Sequence, residues 1–183
     1  MIEDLIKDKY GSRRGLIQYH WDGLLTRVGA YQHRLPSVQE IRKVVFVCQG
    51  NICRSALAEV VFKKHSNVES TSVGLKTSTG KPANSRVVKY ASSKASVDLS
   101  KHRTTRLEDY EVLPFDLFVC MEIRQIRELR KRGIKNVCVL LGSFGERQQA
   151  RINDPYSAND RYMEKTVEDI VYHTVELAKC LER

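Results

Sequence analysis

From Lys43 onward the chain alternates short apolar runs with segments whose apolar positions recur every three or four residues. VVFVC (44–48) reads as a buried strand, and Ser55 to His65 as a helix with Leu57, Val60, Val61 and Lys64 at helical spacing. VESTSV (68–73) is a second, weaker strand, and Arg86 to Ala95 a helix. DLFVCM (116–121) predicts a strand, Ile123 to Arg132 a helix, NVCVLL (136–141) a strand, and Asn159 to Leu181 a last helix. Strands that alternate with helices in this way predict an α/β fold. Its three layers are a four-stranded parallel sheet flanked by helices on both faces. In such sheets ligands bind at the carboxyl ends of the strands. The first strand ends in the most unusual stretch of the chain, VVFVCQGNICRSALAE (44–59).

Residues 1–42 follow a different pattern. Ile17, Trp21, Leu24, Leu25, Val28 and Tyr31 recur at helical spacing, Gly11 to Gly15 interrupts the segment, and Pro36 closes it. This predicts a helical N-terminal extension (1–42) ahead of one domain (43–183). The stripe fits an amphipathic helix packed on the domain. A surface turned toward a partner or a membrane is the alternative.

Composition narrows the class. A chain of 183 residues with 42% hydrophobic and 29% charged residues suits one globular domain with an appendage. No apolar run approaches the length of a membrane span, and the opening MIEDLIKDKYGSRRG has no apolar centre, so neither a span nor a secretory signal is expected. The formal charge of +9 is spread along the chain without a Lys/Arg block. It therefore points to an acidic or phosphorylated substrate and not to nucleic acid. The cysteine count of five is odd, and Cys120 and Cys138 sit in apolar runs. Thiols in a reducing cytoplasm are expected, not a disulfide framework.

The chemistry concentrates in the loop after the first strand. Gln49, Gly50, Asn51, Ile52, Cys53 and Arg54 can wrap so that successive backbone N–H groups point inward and make an anion nest. The N-terminus of the following helix adds free N–H groups and partial positive charge. Gly50 and Asn51 are the residue types that tolerate the left-handed backbone such a wrap needs. Arg54 supplies a planar fork for two phosphate oxygens. Cys48 at the base of the loop faces the same field, which favours thiolate, and Ser55 can donate to its sulfur. A thiolate beside a bound phosphate ester is a nucleophile aimed at phosphorus. The departing oxygen then needs a proton. Asp154 in NDPYS (153–157), on a loop after the fourth strand, is the candidate acid. Two other motifs fail. C-x4-C lacks the spacing and partners of a zinc site. GLKTSTGKP (74–82) has five residues between its glycines and Pro82 where a nucleotide loop needs Ser or Thr.

These residues resemble the low-molecular-weight protein tyrosine phosphatases, over Lys43 to the C-terminus. VFVCQGNICRSALAE is similar to the catalytic loop of that family, with Ala56 where proline is common. SVG (72–74), DLSKHRTTRL (98–107), DLFVCMEIRQIREL (116–129) and DPY (154–156) fit as well. The resemblance implies phosphotyrosine hydrolysis through a phosphocysteine on Cys48, without metal or cofactor. Arg54 would bind phosphate, and Asp154 would be general acid and then base. Asn51, Ser55, Ser72 and His102 would hold the loop by hydrogen bonds. Cys53 would be either a partner able to form a reversible disulfide with Cys48 or a small buried filler. Tyr156 and Thr77 would line the pocket, with Thr77 and Ser157 standing where aromatic residues are frequent. A phosphotyrosine protein is the implied substrate, and a tyrosine kinase governing polysaccharide export a possible partner. Among relatives, phosphoarginine phosphatases tend to carry threonine where Ile52 stands, so Ile52 favours tyrosine. Arsenate reductases need two further downstream cysteines, and none lies between Cys53 and Cys120. Outside catalysis, the alternative is a module that binds phosphotyrosine without hydrolysing it.

Overall fold

A computed structural model describes residues 15–17, 20–21, 23–24, 35, 37–156 and 159–182. Four strands, β1 (Lys43–Cys48), β2 (Glu69–Gly74), β3 (Asp116–Cys120) and β4 (Cys138–Leu140), form one sheet in the order β2-β1-β3-β4. Every pairing is parallel, with Phe46 opposite Ser72 and Val119, and Val119 opposite Val139. The helices are α1 (Arg54–His65), α2 (Ser85–Ala95), α3 (Ile123–Lys131) and α4 (Asp160–Leu181).

Alternation along the strands divides the core in two. Val44, Phe46 and Cys48 of β1, with Leu117 and Val119 of β3, face one way and pack with Leu57, Val61 and Phe62 of α1 and Met163, Val167 and Ile170 of α4. Val45, Val47, Phe118 and Cys120 face the other way, against Ile123, Ile126 and Leu129 of α3. Each face of the sheet is thus covered by helix, which is why β1 and β3 read as continuous apolar runs. Asn84 caps α2 by accepting from the Arg86 N–H at 3.0 Å, and Asn159 caps α4 by accepting from the Tyr162 N–H at 2.9 Å. Each cap contributes about 1 kcal/mol.

The expected α/β architecture is the observed one, with local differences. The fourth strand is shorter than 136–141, because β4 pairs only with β3 and the chain tightens into a single 3-10 turn at Leu141–Ser143. Cys120 and Cys138 are buried, as core residues. In the N-terminal extension the described residues between 15 and 24 are helical. Ile17, Trp21 and Leu24 lie exposed. Leu25, Val28, Tyr31 and Pro36 fall outside the described residues, as does Ser157.

Strand order reverses between β1 and β3, since the chain leaves β1 for β2 on one side and reaches β3 on the other. A crevice at the carboxyl ends of β1 and β3 is the expected ligand site of such a sheet. The Cys48–Arg54 loop opens there.

Candidate active site

The loop leaves β1 at Cys48 and enters α1 at Arg54. Its wrap rests on Asn51, whose φ of 55° is left-handed; Gly50 is not among the residues with positive φ, so asparagine alone takes the turn expected of both. Asparagine tolerates this region because its short amide can bond locally, and here every polar group of fully buried Asn51 is used. Its backbone N–H donates to Cys48 Sγ at 3.2 Å, and its Nδ2 donates to Ser55 Oγ at 2.9 Å and Ser72 Oγ at 2.7 Å. Its Oδ1 accepts from the Thr105 N–H at 2.8 Å. Its carbonyl pairs with His102 Nε2 at 2.7 Å, which makes Nε2 the protonated ring nitrogen. Backbone bonds from Leu75 N–H to Cys48 O (3.0 Å), Lys76 N–H to Gln49 O (2.8 Å) and Asn84 N–H to Ile52 O (2.8 Å) tie the loop to the chain after β2.

Ser55 Oγ lies 3.0 Å from Cys48 Sγ. Because Ser55 Oγ already accepts from Asn51, its own hydrogen is free to point at the sulfur. Two donors, the Asn51 N–H and the Ser55 hydroxyl, therefore converge on Cys48. Ser72 in turn donates to Glu59 Oε2 at 2.6 Å, which anchors the network on α1. The first bond of α1 runs from the Leu57 N–H to Cys53 O at 3.0 Å. The N–H groups of Arg54, Ser55 and Ala56 have no partner within the helix and border the loop.

Arg54 is only 1% exposed. Nη2 donates to Asp154 Oδ2 at 2.7 Å, and Nη1 donates to the Ile152 carbonyl at 3.2 Å and to Glu122 Oε1 at 3.4 Å. Burial opposes its charge, but Asp154 and Glu122 outweigh that cost and hold the guanidinium protonated more firmly than usual. Cys53 is buried beside it, and burial, with Cys48 and Asp154 nearby, pushes its thiol up to about 12. Tyr162, also buried near the site, is raised to about 12 by burial against the opposing influence of Arg151 and Arg54. Thr77 borders the loop, since a Cβ at Gly74 would sit 2.7 Å from Thr77 Cγ2 and 3.0 Å from Asn51 Cβ. Tyr156 is 61% exposed, with its N–H on Asp154 Oδ1 at 3.3 Å.

A family model described as low molecular weight phosphotyrosine protein phosphatase matches residues 43–183. The chain belongs to this phosphatase family. Membership makes it a phosphotyrosine phosphatase, a hydrolase of phosphoric monoesters. The low molecular weight phosphotyrosine protein phosphatase of Sus scrofa is 33% identical over 146 residues, covering 73% of this chain and 91% of that protein. The crystal structure of the low molecular weight protein tyrosine phosphatase from T. tengcongensis superposes with a TM-score of 0.67 at 27% identity, over 75% of this chain and 98% of its own. The YwlE arginine phosphatase from Geobacillus stearothermophilus shares the fold, with a TM-score of 0.66 at 21% identity over 77% of this chain and 93% of its own.

Sequence reasoning passed over three residues of this phosphatase site. Glu122, at the end of β3, and Arg151, three positions before Asp154, form a buried ion pair at 3.0 Å. Glu59 is the third. An acid directly after an apolar strand and an arginine just before the DPY stretch were the available signals. Their partners lie too far away in the chain for spacing to expose them.

Proposed function

We propose that this phosphatase acts on phosphotyrosine in proteins through a phosphocysteine on Cys48. The observation that carries the reading is the convergence of two donors on Cys48 Sγ beside a buried Arg54 that reaches Asp154 at 2.7 Å. In the first step the Cys48 sulfur, as thiolate, forms a bond to phosphorus while the bond from phosphorus to the tyrosyl oxygen breaks. Protonated Asp154 gives its proton to that oxygen, so tyrosine leaves neutral. In the second step Asp154, now a carboxylate, takes a proton from water, whose oxygen attacks phosphorus. The phosphorus–sulfur bond breaks, the thiolate returns, and inorganic phosphate leaves. Arg54 and the loop N–H groups of residues 49–55 bind the phosphoryl oxygens and stabilise the charge spread over them in transit.

Asn51, Ser55, Ser72 and His102 hold the loop. Tyr156 and Thr77 form the pocket wall, where a single exposed tyrosine supplies aromatic contact for the substrate ring. Residues 1–42 are a separate extension, supported by the family match beginning at residue 43. Its exposed Ile17, Trp21 and Leu24 favour the reading of a surface for a partner. Five free cysteines support a reducing, cytoplasmic setting, and a tyrosine kinase is the kind of protein whose phosphate this site would remove. Among the described residues no helix is long and apolar enough to cross a membrane.

The test is phosphate release from a phosphotyrosine peptide, a phosphoserine peptide and phosphoarginine, in EDTA. Release from phosphotyrosine alone agrees with the proposal. Faster release from phosphoarginine would overturn the substrate assignment, and binding of the phosphotyrosine peptide without any release would make the chain a binding module.

A further inference from the structure

We propose that Arg151 is a positioning residue for Arg54, acting through the buried carboxylate of Glu122. The proposal rests on the phosphatase reading of Arg54 and Asp154. Glu122 is 1% exposed and stands where β3 ends and α3 begins. Its Oε1 faces Arg54 Nη1 at 3.4 Å, Arg124 Nε at 3.0 Å and Gln125 Nε2 at 3.1 Å. Its Oε2 lies 3.0 Å from Arg151 Nη2, close enough for charge pairing though not aligned for a hydrogen bond. Arg124 is half exposed, so water screens its share. Arg151 is only 8% exposed. One buried carboxylate is therefore shared by two buried guanidinium groups.

The sharing sets how far Arg54 leans toward Glu122. At 3.4 Å that contact is longer than a normal charge-assisted bond, while the bond to Asp154 at 2.7 Å is of full strength. Without Arg151, the buried carboxylate has Arg54 as its main compensation and draws Nη1 inward, away from the mouth of the loop. Arg151 also sits on the segment that carries Asp154. Glu122 and Arg151 form an antiparallel bridge, the Ile152 N–H donates to Met121 O at 2.8 Å, and Ile152 O accepts from Arg54 at 3.2 Å. The acid and the phosphate-binding arginine are thus fixed to the same strand end.

A purely structural role makes a different prediction. Buried ion triads contribute little net stability and are often replaceable by apolar side chains of similar size. If Arg151 only fills space, Arg151→Met leaves phosphate binding as it is.

The experiment measures inhibition by inorganic phosphate, kcat/KM for p-nitrophenyl phosphate and the rise in melting temperature with added phosphate. It compares wild type, R151M, R151K, E122Q and E122Q/R151M. The expected result is that R151M weakens phosphate about tenfold, the lower end of what a charge-assisted hydrogen bond is worth. R151K recovers part of the loss, and in the E122Q background R151M adds little. Wild-type phosphate affinity in R151M, or an equal loss in both backgrounds, overturns the proposal. If R151M fails to fold, R151Q against wild type decides, because glutamine removes the charge and keeps a polar side chain: weaker phosphate binding supports the proposal and unchanged binding overturns it. The melting shift reads phosphate binding without turnover. An inactive wild type that still binds phosphate would therefore defeat the phosphatase reading while leaving the role of Arg151 measurable, and a wild type that neither turns over nor binds phosphate would overturn both.

Discussion

Arg54 and Asp154, separated by 100 positions in the chain, meet at 2.7 Å through Nη2 and Oδ2. In the proposed mechanism the group that would bind phosphate is thus paired with the group that would deliver the proton. A phosphoryl group entering the loop would then compete with Asp154 for Arg54 and release the acid toward the leaving oxygen.

Asp154→Asn therefore separates binding from catalysis. Hydrolysis of phenyl phosphate, with its poor leaving group, falls by about 10²–10⁴-fold, and p-nitrophenyl phosphate falls less. Inorganic phosphate binds more tightly, because Arg54 no longer carries a competing carboxylate. Steady-state kinetics with phosphate as inhibitor checks both parts. Equal losses on the two esters would remove Asp154 from the acid role.

Asn51→Ala removes an amide that serves Ser55, Ser72 and Thr105 at once, and leaves alanine at a φ of 55°. Each buried polar group left unpaired costs about 1–3 kcal/mol. The expected outcome is a clear drop in unfolding free energy by urea titration together with a loss of turnover. Ser72→Ala loses one link of the network and falls less in both measurements. A variant at 51 as stable and as active as wild type would show that the loop is held by its backbone bonds alone.

Cys53, raised to about 12 mainly by burial, stays a thiol throughout neutral pH. Thiolates react and thiols do not, so brief iodoacetamide treatment at pH 7 leaves Cys53 unmodified in the folded protein. Peptide mapping by mass spectrometry reads this directly. Labelling of Cys53 ahead of the partly exposed Cys180 would contradict its burial.

His173 packs under the 141–149 turn, with Nδ1 donating to Phe144 O at 2.6 Å and Nε2 beside Gln149 Nε2 at 2.9 Å. Burial lowers it from the ordinary value of 6.5, despite the opposing bond to Phe144. On acidification the unfolded chain takes up this proton before the folded one. The stabilisation is complete above 6.5 and is lost as the pH falls from there through the lowered folded value. Urea titrations at pH 7.5, 6.5 and 5.5 should show falling stability, with a shallower decline in His173→Gln. Identical slopes would contradict the assignment.

The parts legible in the sequence were those with local causes. Apolar runs gave β1 and β3 because both faces of these strands are buried, and the start of the last helix near Asn159 and the Gly/Asn loop types are read within a few residues. Cys48, Arg54 and Asp154 stood out because their chemistry has few other uses in such a context. Glu122 and Arg151 did not stand out. Their meaning comes from Glu122 meeting Arg54, 68 positions away, and Arg151 meeting Glu122, at a strand end that only the folded sheet creates. β4 was overestimated because an apolar run does not reveal where an edge strand loses its partner. Gly50 and Asn51 both suit a left-handed turn by residue type, yet the turn falls on Asn51 alone, whose side chain bonds three partners there.

In the proposed mechanism phosphorus passes through Cys48. The most direct measurement is rapid acid quench of wild type turning over p-nitrophenyl phosphate in EDTA, followed by mass spectrometry of the peptide bearing Cys48, with Cys48→Ser alongside. A phosphoryl group on Cys48 is expected in wild type and no turnover in the variant, which still binds inorganic phosphate. Sustained turnover in Cys48→Ser, or turnover in wild type with the phosphoryl group on another residue, would contradict it.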